Sequence, residues 1–390
     1  MTEESATPRA APSFSRPLLS MYDLTKDQLA QQLEQWKEPA FRTTQIWTWL
    51  YSRYVSQFDE MTDLSKSLRA KLQSTYVLNR FESVSETSST DGWTHKWLLR
   101  SGDGAEVEAV LMEYEGIRRT ACISSQAGCA MNCSFCATGQ MGFVRNLRAG
   151  EIIEQVIWVA RALSTHAPPD KRWVSLDNRS TRLSNIVYMG MGEPFANYSH
   201  VIESVDRLTE SQDEGGFGLG ARKITISTVG IVPGINRFAA EGSQTNLAVS
   251  LHAATDELRS QLVPINQRYP LYQVALAIRE YINKTNRRVS LEWALIDGVN
   301  DTIDQAKALV ALIRSTFDPL IERRHMLHVN MIPLNPTGAF RGHASQRENI
   351  QAFCEVLDHE SIPNTVRMRR GIDISAGCGQ LKAQAHKLRS

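Results

Sequence analysis

The chain has 390 residues, of which 42% are hydrophobic and 22% are charged, and its formal net charge is +1. This composition is typical of a soluble globular protein, and the length suits one large domain with a smaller one beside it. Residues 1–16 lack the apolar segment of a signal peptide, and no apolar run is long enough to span a bilayer. We therefore expect a cytoplasmic protein with no membrane part, and the small net charge does not by itself indicate a nucleic-acid partner.

The N-terminal part is predicted to be a tail followed by helices. We expect residues 1–20 to be disordered and residues 21–82 to form a small helical accessory domain. If the protein acts on RNA, we expect this domain to contact the RNA. Thr25 and Gln28 have the spacing of a capping box, which marks the start of the first amphipathic helix. The tryptophans and tyrosines of this region could stack on bases, but packing in a core is the better interpretation for most of them.

Residues 83–114 are predicted to be a linker and a short β extension. The stretch from Ser83 to Gly92 is polar and rich in Ser and Thr, which is typical of a linker. Two strands are predicted after it, Thr94–Leu99 and Ala105–Met112, separated by a turn with two glycines.

Residues 115–345 alternate between β-rich runs and helical patterns. Six βα units in a row favour an α/β fold with a parallel barrel or a partial barrel, although a doubly wound open sheet has the same local pattern. The polar stretch 165–184 is interpreted as an insertion loop. The predicted strands are Thr120–Ser125, Asn185–Met189, Lys223–Ser227, Asn246–Leu251, Val289–Ala294 and His328–Ile332.

Residues 346–390 are predicted to contain a helix, a short strand, a cysteine loop and a basic tail. From Asn364 onward the chain has six lysines and arginines against the single acidic residue Asp373. Such a segment could neutralise phosphates, and a solvated surface is an equally good explanation. The basic residues are Arg367, Arg369, Arg370, Lys382, Lys387 and Arg389.

The most informative motif is a C-x3-C-x2-C sequence formed by Cys129, Cys133 and Cys136. A closed structural zinc site has four ligands, usually from two C-x2-C pairs, and no second pair is present. A [4Fe–4S] cluster needs one thiolate per iron, so three thiolates would leave one iron open for a ligand. The spacing favours an open cluster, while zinc with a distant fourth ligand and ordinary buried thiols remain alternatives.

Polar and glycine-rich motifs follow the predicted strands at their C-terminal ends, where α/β barrels build active sites. The cysteine loop follows the first strand, and Gly190–Pro194 follows the second. Further motifs follow at Ser227, at Ser250–His252 and at Asn335. Each motif alone is weak, since a turn glycine or a core histidine would look the same, but their shared position predicts one site.

Together these motifs resemble the radical S-adenosylmethionine (SAM) enzymes, and specifically the RlmN/Cfr family of RNA adenine methyltransferases. The similarity covers about residues 22–381, and the combination of Cys122 upstream with Gly377-Cys378-Gly379 downstream is specific to that family. The matching stretches are Cys122–Cys129, the cluster loop with Gly142–Leu147, Met189–Pro194, Ser227–Pro233, Ser250–His252 and Arg370–Leu381.

The resemblance implies a partial (βα)6 radical SAM barrel that holds a [4Fe–4S] cluster and SAM. It assigns the cluster to Cys129, Cys133 and Cys136. By position, the residues that match the family's SAM contacts are Gly192, Glu193, Ser227, Ser250, Leu251, His252 and Asn335.

The resemblance also implies three catalytic residues. Cys378 matches the cysteine that carries the methyl group as S-methylcysteine. Cys122 matches the thiolate that resolves the enzyme–RNA adduct through a transient disulfide with Cys378. Glu108 matches the proton acceptor, although one more residue separates it from Cys122 than in the family pattern.

The implied activity is methylation of C2 of an adenine in 23S rRNA and of an adenine in tRNA. The alternatives are C8 methylation of 23S rRNA, which confers antibiotic resistance, and a metal-binding RNA-binding module without catalysis. The helical N-terminal region favours C2. The implied partners are RNA and a reductant such as flavodoxin or ferredoxin, and we expect a monomer.

Overall fold

The computed structural model describes residues 19–114, 118–165, 182–317, 325–338 and 340–381. The strands are β1 (Leu19–Ser20), β2 (Tyr76–Val77), β3 (Phe81–Ser88), β4 (Thr94–Ser101), β5 (Glu106–Tyr114), β6 (Arg118–Cys122), β7 (Gln126–Gly128), β8 (Phe143–Asn146), β9 (Asn185–Tyr188), β10 (Ile224–Thr228), β11 (Asn246–Ser250), β12 (Val289–Leu295), β13 (Leu327–Pro333) and β14 (Asn364–Val366). The α-helices are α1 (Lys26–Gln35), α2 (Phe41–Tyr51), α3 (Lys66–Thr75), α4 (Ala137–Met141), α5 (Ala149–Thr165), α6 (Tyr198–Thr209), α7 (Val232–Glu241), α8 (Asp256–Leu262), α9 (Leu271–Thr285), α10 (Ile303–Phe317) and α11 (Arg347–His359).

Ten strands form one sheet in the order β14-β13-β12-β11-β10-β9-β6-β5-β4-β3. Within this sheet β6 and β9–β14 are parallel, and β3, β4 and β5 continue it as an antiparallel extension. Strands β7 and β8 form a separate antiparallel pair. Each successive parallel strand is added on the same side, as in a barrel, whereas a doubly wound sheet reverses direction. No pairing among the described residues joins β14 back to β6, so the parallel part is an open, partial barrel. The predicted α/β class and partial barrel are confirmed.

The N-terminal helices pack against the barrel and share its apolar core. The capping box of α1 is present, because Thr25 Oγ1 accepts the Gln28 N–H at 3.2 Å and Gln28 Oε1 accepts the Thr25 N–H at 2.8 Å. Trp47 is fully buried and donates from Nε1 to Glu210 Oε2 at 2.6 Å. Side chains of α1–α3 belong to the same apolar core as the barrel, so packing is confirmed as the role of the buried aromatic residues.

Two expectations for the N-terminal third were wrong. The stretch Ser83–Gly92 is not a linker, since residues up to Ser88 form β3, which pairs antiparallel with β4. After Phe81 every residue of β3 is exposed, so this edge strand lacks the alternation that predicts a strand. The tail is shorter than predicted, because Leu19 and Ser20 pair with β2. Residues 1–18 of the predicted tail lie outside the described residues.

Several elements of the barrel were not predicted. Helices α6, α7 and α8 were not among the predicted helices, whereas the short strand expected in residues 346–390 is present as β14, a seventh parallel strand of three residues. Helix α7 has a proline and a glycine as its second and third residues, which hid its start, although proline is compatible with the first turn of a helix. Residues 166–181 of the predicted insertion and the basic residues 382–390 lie outside the described residues. The domain boundaries stay predictions.

Within the described ranges, no helix is both long and apolar enough to cross a membrane.

Candidate active site

The three motif cysteines lie on a loop between β7 and α4 that closely packed backbone segments hold in place. Cys129 donates its N–H to Gly142 O at 2.8 Å, so the hairpin of β7 and β8 fixes the start of the loop. Gly128 has φ +73°, and a Cβ there would lie 2.0 Å from Gly142 O, so glycine is required. Cys129 and Cys133 are buried and Cys136 is half-buried.

The loop fits a cluster better than a single metal ion. Burial, with smaller contributions from the charges of Glu193 and Cys136, raises the pKa of the Cys129 thiol to about 12. The same causes raise the pKa of Cys133, so the three sulfur atoms are electrostatic neighbours. Among the described residues, no three His, Cys, Asp or Glu side chains converge as ligands of one ion. A cubane cluster does not need that convergence, because each thiolate binds a different iron.

The C-terminal ends of the parallel strands surround a first cavity. We call this space the acidic cavity, because its charged lining residues are the carboxyl groups of Glu193 and Glu292. Of the predicted site residues, its lining includes Cys133, Cys136, Gly192, Glu193, Ser227, Ser250, His252, Asn335 and Cys378. Leu251 is buried and does not line the cavity, and its backbone N–H donates to Glu292 O at 3.0 Å.

Glu193 is a buried carboxyl group without a cationic partner. Its two oxygens accept the backbone N–H groups of Phe195 at 3.0 Å and Val229 at 2.8 Å. No ion pair among the described residues involves Glu193. Burial raises its pKa to about 7, so it is partly ionised near neutral pH. An ammonium group in the cavity would supply the missing countercharge.

His252 contributes a neutral imidazole with a defined tautomer. Its Nδ1 accepts the backbone N–H of Ala294 at 3.0 Å, so the ring proton lies on Nε2. Burial lowers its pKa to about 3, with a further contribution from the Arg259 guanidinium. The ring meets Phe135 edge to face, with the centroids 4.8 Å apart. His252 therefore offers the cavity an N–H donor and no charge.

Asn335 links the acidic cavity to the loop that carries Cys378. Its Nδ2 donates to Cys378 O at 3.1 Å, while Oδ1 is buried and has no hydrogen-bond partner among the described residues. A Cβ on Gly377 would lie 2.6 Å from Asn335 Nδ2, so glycine allows this close approach, and Gly379 has φ +80°, which also favours glycine. The unpartnered Oδ1 points to a ligand with a hydrogen-bond donor.

A second cavity lies against the other side of Cys378. Its lining includes Cys122, Asn335, Arg367, Arg370 and Cys378, and we call it the basic cavity because arginine supplies its charged side chains. Cys122 ends β6 and is buried, whereas Cys378 is exposed and lines both cavities. The Ala137 N–H donates to Gly379 O at 2.7 Å, so the cluster loop and the Cys378 loop are in direct contact.

The electrostatic environment couples the two thiols. Burial raises the pKa of Cys122, and the nearby charge of Cys378 raises it further. Enclosure by the cavity walls raises the pKa of Cys378, even though its surface is open to the cavities. The Arg367 guanidinium lowers both pKa values, and Glu292 raises that of Cys378. Arg367 is therefore the cation that favours the thiolate form of either cysteine.

Glu108 lies on the same face of the sheet as Cys122 but outside the lining of both cavities. In the register of β5 and β6, Val110 pairs with Cys122, and Glu108 is two residues further along β5. Its buried carboxylate forms an ion pair with Lys96 at 3.0 Å, and Lys96 Nζ also donates to Ser375 O at 3.2 Å. The structure thus connects Glu108 to the Cys378 loop through Lys96.

The β extension supports the Cys378 loop, a role that the sequence did not suggest. Asp373 Oδ2 accepts the Thr90 N–H at 2.8 Å and the Thr90 hydroxyl at 3.0 Å. Gly371 packs so closely on β4 that a Cβ would lie 2.8 Å from Thr94 Cγ2. The loop is therefore positioned by the hairpin of β3 and β4.

Sequence reasoning missed Glu292 and Lys96 as site residues. Glu292 is buried, lines the acidic cavity beside Ser250 in the register of β11 and β12, and accepts from Asn330 Nδ2 at 2.6 Å. Burial raises its pKa. The available signal was an acidic residue inside a predicted strand, since a buried charge there needs a partner or a ligand.

Comparison with known proteins identifies the family. Residues 19–78 match the model of the ribosomal RNA large subunit methyltransferase N-terminal domain, and residues 123–310 match the radical SAM superfamily. A dual-specificity RNA methyltransferase RlmN 1 of Myxococcus xanthus is 45% identical, covering 94% of this chain and 95% of that protein. A probable dual-specificity RNA methyltransferase RlmN of Chloroflexus aurantiacus is 46% identical, covering 93% and 92%.

A solved structure agrees with the sequence relatives. The crystal structure of a radical SAM methyltransferase from Sphaerobacter thermophilus superimposes with a TM-score of 0.84 at 45% identity, covering 93% of this chain and 99% of that one. The chain is therefore a member of the RlmN family of radical SAM RNA methyltransferases.

Proposed function

We propose that this enzyme methylates C2 of an adenine in 23S rRNA and C2 of an adenine in tRNA. The match of residues 19–78 to a large-subunit ribosomal RNA methyltransferase domain supports the first substrate. The relatives' names, which describe dual-specificity RNA methyltransferases, support a second RNA substrate. C2 of adenine lies between two ring nitrogens and is electron-poor, so it cannot attack an electrophilic methyl group, which accounts for a radical enzyme.

The donor set of the acidic cavity fits a [4Fe–4S] cluster with SAM on its open iron. Cys129, Cys133 and Cys136 would hold the cluster. The carboxylate of Glu193 would accept from the SAM amino group, with further contacts from Gly192, Ser227, Ser250, His252, Asn335 and the backbone at Leu251. When bound, the cluster and SAM supply the methyl group, the abstraction of a hydrogen atom and the one-electron acceptor that this reaction needs.

One observation carries the proposal: Cys378 lines both cavities, and Cys122 lines the second cavity with it. The Cys378 sulfur can therefore receive a methyl group on the acidic side and meet a base on the basic side. Once the methyl group has lost one hydrogen atom, its carbon bonds to C2 of the adenine. Glu108 accepts the proton that leaves C2, either directly or through Lys96.

Cys122 would complete the reaction. Its thiolate attacks the Cys378 sulfur, and the bond between that sulfur and the methylene carbon breaks. The electron pair goes to the methylene carbon, which takes a proton and becomes the methyl group of the product. The two cysteines are left as a disulfide, which an external dithiol or comparable reductant must reduce before the next turnover.

Mass spectrometry of nucleosides tests the proposed function. The reconstituted enzyme is incubated anaerobically with unmodified 23S rRNA or tRNA, SAM and a reductant, and the RNA is then digested. We expect 2-methyladenosine from both RNAs. A product of 8-methyladenosine would assign the C8 reaction instead, and the absence of any methylated adenosine would contradict catalysis. Reduction by flavodoxin or ferredoxin, a monomeric state and a cytoplasmic location stay predictions.

A further inference from the structure

Two guanidinium groups lie over one tyrosine ring at the edge of the basic cavity. The Cζ atoms of Arg118 and Arg370 are 4.9 Å and 4.7 Å from the centre of the Tyr114 ring. Two positive charges that are both this close to one ring are no more than about 10 Å apart, which is about the Debye length at 0.1 M salt. The ring stabilises each cation, but the cations still repel each other.

These cations have no anionic partner among the described residues. No ion pair there involves Arg118, Arg367 or Arg370. The Arg370 Nε is buried without a hydrogen-bond partner, although its side chain as a whole is only half-buried. Buried N–H groups are normally hydrogen-bonded, so this unpartnered guanidinium N–H is available to an external acceptor.

The position of the stack relates it to the reacting cysteines. Tyr114 and Arg370 line the basic cavity together with Cys122 and Cys378. Met368, which lines the same cavity, is 80% exposed, the highest value among the large apolar residues that the structure describes. An exposed apolar side chain beside unpaired cations suits the edge of a nucleotide site, where the base meets apolar surface and the backbone meets charge.

We propose that Arg118 and Arg370, held over Tyr114, bind a phosphodiester of the RNA strand that carries the target adenine. The inference rests on the proposed RNA methyltransferase function and adds a named phosphate contact to it. A phosphate is favoured over a stacked base because two guanidinium groups already cover the tyrosine ring, and an anion relieves their repulsion. Guanidinium also matches the geometry of phosphate oxygens. Tyr114 acts through the two arginines and is a positioning residue.

Fluorescence anisotropy tests this contact with the cluster-reconstituted full chain and a labelled transcript of the 23S rRNA segment that contains the target adenine. Affinity is measured between about 50 and 200 mM salt, so that each variant has a salt slope. Each of Arg118→Gln and Arg370→Gln should lower affinity about fivefold to eightfold at 0.1 M salt and make the slope shallower by about 0.7 to 0.9. Arg370→Lys should retain most of the slope, because it keeps the charge.

Arg237→Gln is the matched control, because Arg237 also lies over a tyrosine, Tyr198, at 4.2 Å, but on α7 in the outer helical layer. It should leave affinity and slope unchanged. Tyr114→Phe keeps a ring and should bind like the unaltered enzyme, whereas Tyr114→Leu should weaken binding. Iron content and the thermal midpoint show whether each variant is folded.

Three results would overturn the proposal. Unchanged affinity and slope in both glutamine variants would remove the arginines from the RNA contact. A weaker affinity with an unchanged slope would mean that the arginines stack on a base and do not bind a phosphate. If the unaltered enzyme does not bind the RNA, the proposed function itself is contradicted. If the unaltered enzyme binds and the glutamine substitutions have no effect on binding, only the phosphate site is contradicted.

Discussion

The two cavities that meet at Cys378 differ in charge and in construction. The acidic cavity is lined by the carboxyl groups of Glu193 and Glu292, and the basic cavity by Arg367 and Arg370. A cationic sulfonium with an ammonium group suits the first, and a polyanion suits the second. Cys378 thus lies between a cavity whose charge suits the proposed methyl donor and a cavity whose charge suits the proposed RNA substrate.

The construction of the two cavities differs as well. The acidic cavity is built from loops that follow consecutive strands of one parallel sheet, as in other barrels. The basic cavity combines the ends of β5 and β6, the segment after β14 and the Cys378 loop, which hydrogen bonds to the β extension hold in place. The acidic cavity is formed by the barrel itself, whereas the basic cavity also needs the β extension and the Cys378 loop.

The largest expected effect is the loss of activity on substitution of a cysteine, and iron content distinguishes a cluster cysteine from Cys378. We expect Cys133→Ala to lose the cluster and Cys378→Ala to keep it, although neither should form methylated RNA above background. After anaerobic reconstitution, iron analysis should give about four irons per chain for Cys378→Ala and far fewer for Cys133→Ala. Cys354→Ala is the control, because Cys354 is half-buried, packs against the core and lines neither cavity. Full activity of Cys133→Ala with bound zinc would contradict the cluster.

Cys122→Ala should stall the reaction on the basic side. The methyl group can still be transferred to Cys378 and joined to RNA, but no thiolate is left to break the carbon–sulfur bond. A protein–RNA crosslink should therefore accumulate, visible on a denaturing gel, with little free product. The double variant Cys122→Ala/Cys378→Ala should form no crosslink. Normal turnover by Cys122→Ala, or a crosslink in the double variant, would contradict these roles.

Glu193→Gln should weaken SAM binding about tenfold to a hundredfold, since a hydrogen bond to a charged group contributes about 1.5–3 kcal/mol. The pKa of Glu193 is about 7, so the carboxylate that attracts an ammonium is present above pH 7 and lost below it. SAM affinity of the unaltered enzyme should fall by up to about tenfold per pH unit below 7, and the variant should lack this dependence. Equilibrium dialysis with labelled SAM measures both.

Glu154→Gln is the matched control for Glu193. Burial raises the pKa of Glu154 to about 8, and its carboxyl group also accepts two backbone N–H groups, those of Arg80 at 2.6 Å and Phe81 at 2.9 Å. It lines neither cavity. SAM affinity should be unchanged in this variant. If it fell as far as in Glu193→Gln, the effect would come from general loss of buried carboxylates.

The last prediction concerns the β extension and is expected to affect stability more than the chemistry. Lys96→Met deprives the buried Glu108 of its ammonium partner and Ser375 O of a donor, so the free energy of unfolding should fall by about 3 kcal/mol. Product formation should fall with it, because the Cys378 loop loses an anchor. Arg100→Gln removes a more exposed cation from the same strand and should change the thermal midpoint much less. Equal midpoints for the two variants would argue against the buried ion pair.

The sequence alone predicted most of the acidic cavity, although it missed Glu292. The cysteine spacing, the turn glycines and the polar residues after each strand are local patterns, and parallel strands bring their C-terminal ends to one edge. Every residue predicted for this site lines the cavity, except Leu251 and Cys129, which are buried beside it. The α/β class followed from the same local periodicity. Only the order of the strands, which needs long-range pairing, separates the partial barrel from a doubly wound sheet.

Only the tertiary structure decided the basic cavity. Its parts come from positions more than 250 residues apart, and no periodicity connects Thr90 with Asp373 or Tyr114 with Arg370. The edge strand β3 has the polar sequence of a linker, because its residues after Phe81 are exposed. Its extended conformation comes from pairing with β4, which its own sequence does not indicate. Local spacing determines which residues follow a strand. The contacts between distant segments determine which of them meet, because such contacts depend on the packing of the whole chain.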